Sequence, residues 1–337
     1  MKLSDLKFDY PEELIATEPR RPSRVMWVEN NQSTEITVSE LLARIPVGDV
    51  LVINNTRVLK RRLFSENETE ILFLDQIFTE NNSGQSNQWK VLFPSKKLKV
   101  GEIVDLPRGF KMKLLEKGRP QVVEVTPPIT ENDFAEMAEL PLPPYIQKAR
   151  EARHNVVADE SWYQTAWAAK PGSMAAPTAS LHFSQYDIQQ LKARGVQVIE
   201  LTLHVGLGTF LPVIVEDLNE HKMHSEKYEI SKENWQQITD AKSNAKKIWT
   251  LGTTTTRVVE SIARTGELFG ETDILLQVGS EFKIVDRLLT NFHQPESTLL
   301  ALVAGYSDLQ TVKKCYAWAI EKRFRLFSYG DLSVWIK

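Results

Sequence analysis

The pattern of apolar and polar positions divides this chain of 337 residues into three stretches. Asp49 to Ile53 is a short apolar run that predicts a strand, closing in the polar turn Asn54-Asn55-Thr56-Arg57. Short β-rich runs follow at Glu70–Leu74, Trp89–Phe93, Ile103–Leu106, Lys111–Leu115 and Gln121–Val125. Turn residues separate them, among them Asn81-Asn82-Ser83-Gly84, Pro94-Ser95, Val100-Gly101, Arg108-Gly109 and Lys117-Gly118, a spacing that predicts a small barrel or sandwich. Leu140-Pro141-Leu142-Pro143-Pro144-Tyr145 is predicted extended, because each proline pushes its predecessor out of the helical region.

From residue 160 onward helix and strand signals alternate. Ser184 with Asp187 starts a helix through Leu191 that stops at Gly195, and Val196 to Val205 is a buried strand. Ser231 caps a helix to about Ala245. Lys247 to Leu251 is a strand feeding the turn Gly252-Thr253-Thr254-Thr255-Thr256, with a helix following through Arg264. Ser307 with Gln310 reads as a capping box for a helix with Leu309, Val312, Tyr316 and Ile320 on one face. The fold class expected is α/β: a layered main domain interrupted by a small inserted all-β, barrel-like domain. The boundaries expected are 1–60 and 149–337 for the main domain and 61–148 for the insertion.

Composition narrows the classes. Apolar residues at 42% and charged ones at 25% suit a soluble globular protein. Cys315 stands alone, which excludes an internal disulfide and fits a reducing compartment. Met1-Lys2-Leu3-Ser4-Asp5 has no apolar stretch, so no signal peptide is expected, and no run is long enough to span a membrane. A cytoplasmic monomer is expected. Net charge is −3, yet residues 88–119 hold nine Lys/Arg against three acids, and Lys60-Arg61-Arg62 adds a further basic cluster. Such a stripe attracts phosphates, the alternative being a solvated surface.

Five of the six histidines, His182, His204, His221, His224 and His293, sit beside small or polar residues. The aperiodic stretch Ala175 to Phe183 holds His182, and a segment that packs nothing periodic is where chemistry tends to sit. His204-Val205-Gly206-Leu207-Gly208-Thr209-Phe210 is not a dinucleotide fingerprint, since Leu211 stands where a third glycine belongs. His221 and His224 lack the spacing of a zinc-protease helix and any cysteine pair, so no metal is expected. Gly252 to Arg257 is a candidate anion site at a helix start, with threonine capping as the alternative. Leu289 to Pro295 and Phe327 to Asp331 have the same polar character, and α/β sheets gather such turns at strand ends.

Asn54 to Val58, Lys96-Lys97-Leu98, Leu140 to Ile146, Tyr163-Gln164-Thr165, Lys170 to Phe183, Leu203 to Phe210, Glu220 to Glu226, Gly252 to Arg257, Leu288 to Pro295 and Phe327 to Asp331 occur in order along the chain. Together they resemble the S-adenosylmethionine:tRNA ribosyltransferase-isomerase family of the queuosine pathway. Departures are Asn55 for an aspartate, Ser180 for a glycine, Gln277-Val278-Gly279 for Tyr-Pro-Gly, and Gln294 for a leucine. The resemblance implies a two-domain fold with an inserted barrel. It implies transfer and isomerisation of the ribosyl part of S-adenosylmethionine onto a 7-aminomethyl-7-deazaguanine of tRNA, with S-adenosylmethionine consumed and no prosthetic group.

On that basis His182 and His204 are the acid/base candidates, with His293 and Asp331 behind them. Asn54, Arg57, Thr178, Gly206, Gly208, Thr253, Thr254, Arg257, Asn291 and Tyr329 are candidates for substrate binding, and Lys96, Lys97 and Lys99 for the tRNA backbone. A paralogue acting on another acceptor and a nonenzymatic RNA-binding protein are the competing readings.

Overall fold

The computed structural model describes residues 1–78, 86–206, 208 and 213–337. The expected turn Asn81 to Gly84, and Leu207, Thr209, Phe210 and Leu211 of the glycine-rich turn, lie outside the described residues. The chain divides into two compact units. Unit 1 is Met1–Val58, Pro143–Arg153 and Ser161–Lys337, and unit 2 is Leu59–Leu142 with His154–Glu160.

Unit 1 begins with β1 (Arg24–Glu29), β2 (Gln32–Thr37), α1 (Val38–Arg44), β3 (Val50–Asn54) and β4 (Thr56–Val58). Unit 2 contributes β5 (Arg62–Phe64), β6 (Glu70–Gln76), β7 (Gln88–Leu92), β8 (Ile103–Asp105), β9 (Lys111–Glu116), β10 (Gln121–Thr126) and α2 (Glu131–Met137). The chain continues through α3 (Pro144–Arg150), α4 (Asp159–Trp162), β11 (Lys170–Ser173), α5 (Gln185–Ala193), β12 (Gln197–Leu203) and β13 (Glu226–Glu229). It ends with α6 (Lys232–Ser243), β14 (Ile248–Leu251), α7 (Thr253–Thr265), β15 (Phe269–Thr272), β16 (Arg287–Asn291), α8 (Thr298–Tyr306), α9 (Leu309–Glu321) and β17 (Leu332–Ile336).

Nine strands of unit 1 form one sheet in the order β15-β13-β12-β3-β14-β16-β17-β1-β2. β12, β3, β14 and β16 run parallel, β17 returns antiparallel to β16, and β1 lies parallel to β17. The carboxyl ends of four strands and the amino ends of β17 and β1 therefore share one edge of the sheet. β3 is buried at every position, as a central parallel strand covered on both faces must be. Leu51 and Ile53 join Trp249, Leu251, Leu289, Val25 and the apolar sides of α1 and α5 in one continuous core.

In unit 2 the strand order is β5-β6-β7-β10-β9-β8, antiparallel throughout. Phe73, Trp89 and Phe134 meet edge to face at its centre, Phe134 being on α2, so this unit is not purely β. The basic cluster read at Lys60-Arg61-Arg62 is neutralised inside this unit. Lys60 pairs with Glu160, Arg61 with Glu131, and Arg62 with Glu139 and Glu70. Burial of Arg61 and Arg62 demands those partners. Lys96, Lys97 and Lys99 are exposed.

Four local expectations change. The polar turn at Asn54–Arg57 is instead a switch between strands, because Thr56–Val58 pairs with Lys170–Ser173. The proline-rich stretch is extended only to Pro143. Pro144 opens α3, where a missing N–H costs nothing, and Tyr145 is already helical. Thr253 to Thr256 form the first turn of α7 rather than a loop, with Gly252 as N-cap at φ 97. Ser307 closes α8, so the N-cap of α9 is Asp308, accepting from Thr311 N at 2.8 Å. The buried face of α9 is centred on Val312, Cys315 and Tyr316.

Glu260 of α7 is fully buried and accepts from Lys283 N, Ile284 N and Val285 N at 2.9–3.0 Å and from Arg264 at 2.7 Å. It ties the segment before β16 to α7. Glu260→Ala is expected to cost about 3–5 kcal/mol in urea unfolding, because three amides and a cation lose their acceptor at once. Glu260→Gln, which keeps one acceptor, should cost less.

Candidate active site

Parallel pairing delivers the polar turns to one edge of the unit 1 sheet. Asn54 ends β3, His204 follows β12, Gly252 follows β14, Asn291 ends β16, and Asp331 and Ser23 precede β17 and β1. This is where open α/β sheets place ligands.

Two histidines there are buried. His182 Nδ1 lies 2.7 Å from Ser23 Oγ, and its Nε2 lies 3.1 Å from Asn291 Nδ2. Asn291 Nδ2 also donates to the carbonyl of Phe327 at 3.0 Å, which fixes the orientation of that amide. His182 Nε2 is therefore an acceptor, and the proton sits on Nδ1, donated to Ser23. Burial, with Arg21 and Arg325 nearby, pushes the imidazole down to about 3. His293 is held at one nitrogen, its Nε2 2.8 Å from Thr290 Oγ1, and burial pushes it down to about 3. Both are neutral rings, and at His182 both nitrogens are committed to the protein.

His204 differs. It is half-buried, and only Nδ1 is engaged, 2.8 Å from Thr56 Oγ1. Nε2 makes no hydrogen bond among the described residues. Burial lowers its pKa, Glu229 opposes that, and Lys170 and Lys227 reinforce it. Gly172 lies flat on the ring: a Cβ there would come within 2.8 Å of Cε1 and Nδ1. Thr56 is itself placed by its N–H, which donates to Asn54 Oδ1 at 3.1 Å.

Asn54 is a structural pin, since its amide bonds both the N–H and the carbonyl of Leu203 and so aligns β12 against β3. Asn55 donates to Glu200 and accepts from Thr202 Oγ1, so an aspartate here would face the Glu200 carboxylate. Arg257 is buried and spent. It pairs with Glu226 and donates to the carbonyls of Ile274 and Thr272. Glu226 in turn accepts from Gly206 N at 3.1 Å, so the pair props the glycine-rich turn. Gly208 lies against the His224 side chain. Asp331 accepts from Arg24 N and Arg325 N, and burial raises its pKa, which makes it a pin between chain segments. Tyr329 is buried against Tyr163, and Arg57 is exposed.

Three buried atoms at this edge find no hydrogen-bond partner among the described residues: Ser180 Oγ, Thr254 Oγ1 and Asn291 Oδ1. Gly252 brings the first turn of α7 against Ala179, the neighbour of Ser180. Gly252 caps α7 without a side-chain hydrogen bond, which leaves the helix start open to a ligand; Thr253 follows it, and Thr178 precedes Ala179 in the chain. Buried polar atoms left unmatched cost about 1–3 kcal/mol each, so a polar ligand stands to gain there. The roles of Thr56, Gly172, Ser23 and Glu226 were not assigned from the sequence. Thr56, Gly172 and Glu226 lie in stretches that carry the family pattern; Ser23 carries no sequence signal.

An α/β protein with polar groups converging at the ends of parallel strands is, by class, a ligand-handling protein. Its family is defined by sequence: residues 3–335 match the model of the queuosine biosynthesis protein family, and the chain belongs to it. It is 40% identical over 346 residues to the S-adenosylmethionine:tRNA ribosyltransferase-isomerase of Parvibaculum lavamentivorans, covering 98% of each chain. It is 37% identical to the protein of that name from Sulfurihydrogenibium, again over 98% of each. The crystal structure of the S-adenosylmethionine tRNA ribosyltransferase of Thermotoga maritima matches with a TM-score of 0.55 at 28% identity, over 98% of this chain and 99% of that one.

Because His182 folds neutral with its pKa near 3, the unfolded chain takes up a proton first as pH falls. The stability this ring confers is complete above pH 6.5 and is lost as pH drops from there toward 3. Against wild type, His182→Gln should remove about 1.4 kcal/mol per pH unit from the acid slope of unfolding free energy between pH 6 and 4. Equal slopes would place a charged imidazole in the fold.

Proposed function

We propose that this protein transfers and isomerises the ribosyl moiety of S-adenosylmethionine onto the aminomethyl group of 7-aminomethyl-7-deazaguanine in tRNA. The products are epoxyqueuosine-tRNA, adenine and methionine. The observation that carries this reading is the family match from residue 3 to 335, together with full-length relatives of that name at 40% identity. S-adenosylmethionine is a consumed co-substrate, and the chemistry asks for no prosthetic group. Among the described residues, no helix is long and apolar enough to cross a membrane; the tRNA acceptor is what favours a cytoplasmic site of action in this reading. Unit 2 is read as the small inserted β domain, and its exposed Lys96, Lys97 and Lys99 as contacts to the tRNA backbone.

The reaction needs a base for the carbon beside the sulfonium, whose proton the positive sulfur makes acidic, a donor for departing adenine, and polar groups for the opened sugar. His204 is the proton-transfer residue in this reading. One nitrogen is fixed by Thr56, the ring is held flat by Gly172, and Nε2 is left to the substrate. His182 is a positioning residue that orders Asn291. Ser180, Thr254 and Asn291 supply the polar contacts to the sugar, on the strength of their unmatched atoms. Arg257 acts through Glu226 on the glycine-rich turn rather than on substrate.

Incubation with S-adenosylmethionine and precursor tRNA should release one adenine per tRNA modified. No adenine with the correct tRNA contradicts the reading. His204→Gln should lower kcat at least 100-fold, and His182→Gln should lower it less. The reverse order would exchange their roles.

A further inference from the structure

A groove of about 760 Å³ runs between α1 and α5, and of its lining residues only His182 has a part in the chemistry above. Arg21 and Arg194 line it together with Tyr186, Ser39 and Gln190, which reach the surface side, and the buried His182. A much smaller cavity shares Arg21 and His182 with it and is lined also by Ser23, Ser328 and Tyr329. The groove therefore leads from the surface to the polar edge of the sheet.

Its charge is one-sided. Arg21 donates to the carbonyl of Leu181 at 2.8 Å, and Arg194 to the carbonyl of Ile45. Each guanidinium is held in place by a carbonyl and forms no ion pair among the described residues. The one carboxylate in the lining, Asp187, is already committed to the N-cap of α5, where its Oδ2 accepts from Ser184 N and Ser184 Oγ at 2.7 Å. Tyr186 presents its ring to solvent, 66% exposed. Fixed cations beside an open aromatic face suit an anionic chain carrying flat bases. They do not suit S-adenosylmethionine, whose sulfonium and ammonium are positive.

We infer that this groove binds a nucleotide of the RNA acceptor, with a base stacked on Tyr186 and backbone phosphate on Arg21 and Arg194. The inference rests on the reading that the acceptor is RNA. Its job is to lead the acceptor strand inward past His182.

The test uses the full chain and an anticodon stem-loop RNA carrying the precursor base, with binding measured over a salt series. Tyr186→Ala should weaken binding about tenfold. Arg194→Ala should flatten the slope of log Kd against log salt by roughly 0.7–0.9, while the KM for S-adenosylmethionine stays put in both. Wild-type Kd and slope in both variants would overturn the inference, as would a raised KM for S-adenosylmethionine with RNA binding intact. Tyr186 is exposed, so its variant folds even if Arg194→Ala does not. Adenine release by the wild type separates the outcomes: release with unaffected variants removes the groove alone, whereas no release removes the reading of the reaction.

Discussion

Parallel pairing of β12, β3, β14 and β16 is the constraint on which the rest depends. Each parallel strand must be reached by a crossover, and each crossover leaves the sheet at the same edge. Four chain reversals are thus forced together, and every one carries polar side chains. The antiparallel return of β17 and its pairing with β1 add Asp331 and Ser23 to the same edge. Asn54 locks this arrangement from within, since its buried amide satisfies both backbone groups of Leu203 where β12 would otherwise fray from β3.

Burial then sorts the polar groups that topology collects. Where both nitrogens of an imidazole are claimed and the ring is buried, as at His182, desolvation outweighs any gain from charge and the ring stays neutral. Where one nitrogen is left open, as at His204, the ring can take part in proton transfer. The same logic separates the arginines. Arg257 is buried and consumed by Glu226, whereas Arg21 and Arg194 keep their charge toward an open groove. A cation's function here follows from its partner count, not from its position in a motif.

Much of the fold was legible because its signals are local. The Ser184 and Ser231 caps, the apolar strand before His204 and the spaced short strands after residue 60 all rest on neighbours in sequence. Some errors are shifts of a helix start by a residue or a few, as at Pro144 and Asp308, and the larger ones come from a partner distant in the chain. Thr56–Val58 is a strand only because Lys170–Ser173 comes alongside, and Lys60, Arg61 and Arg62 are quiet only because Glu160, Glu131 and Glu139 reach them. The candidate site was half legible. His204 and Asn291 sit in motifs, but the hydroxyl of Thr56, the bare face of Gly172 and the link from Ser23 to His182 are tertiary facts.

The central claim is that the polar edge of this sheet is where S-adenosylmethionine is held and converted. Backbone amide exchange with and without S-adenosylmethionine, in the absence of tRNA, tests it most directly. The account predicts slowed exchange confined to residues 54–58, 172–182, 203–206, 252–257 and 291–293. Protection at the opposite edge of the sheet, with these segments unchanged, would contradict it.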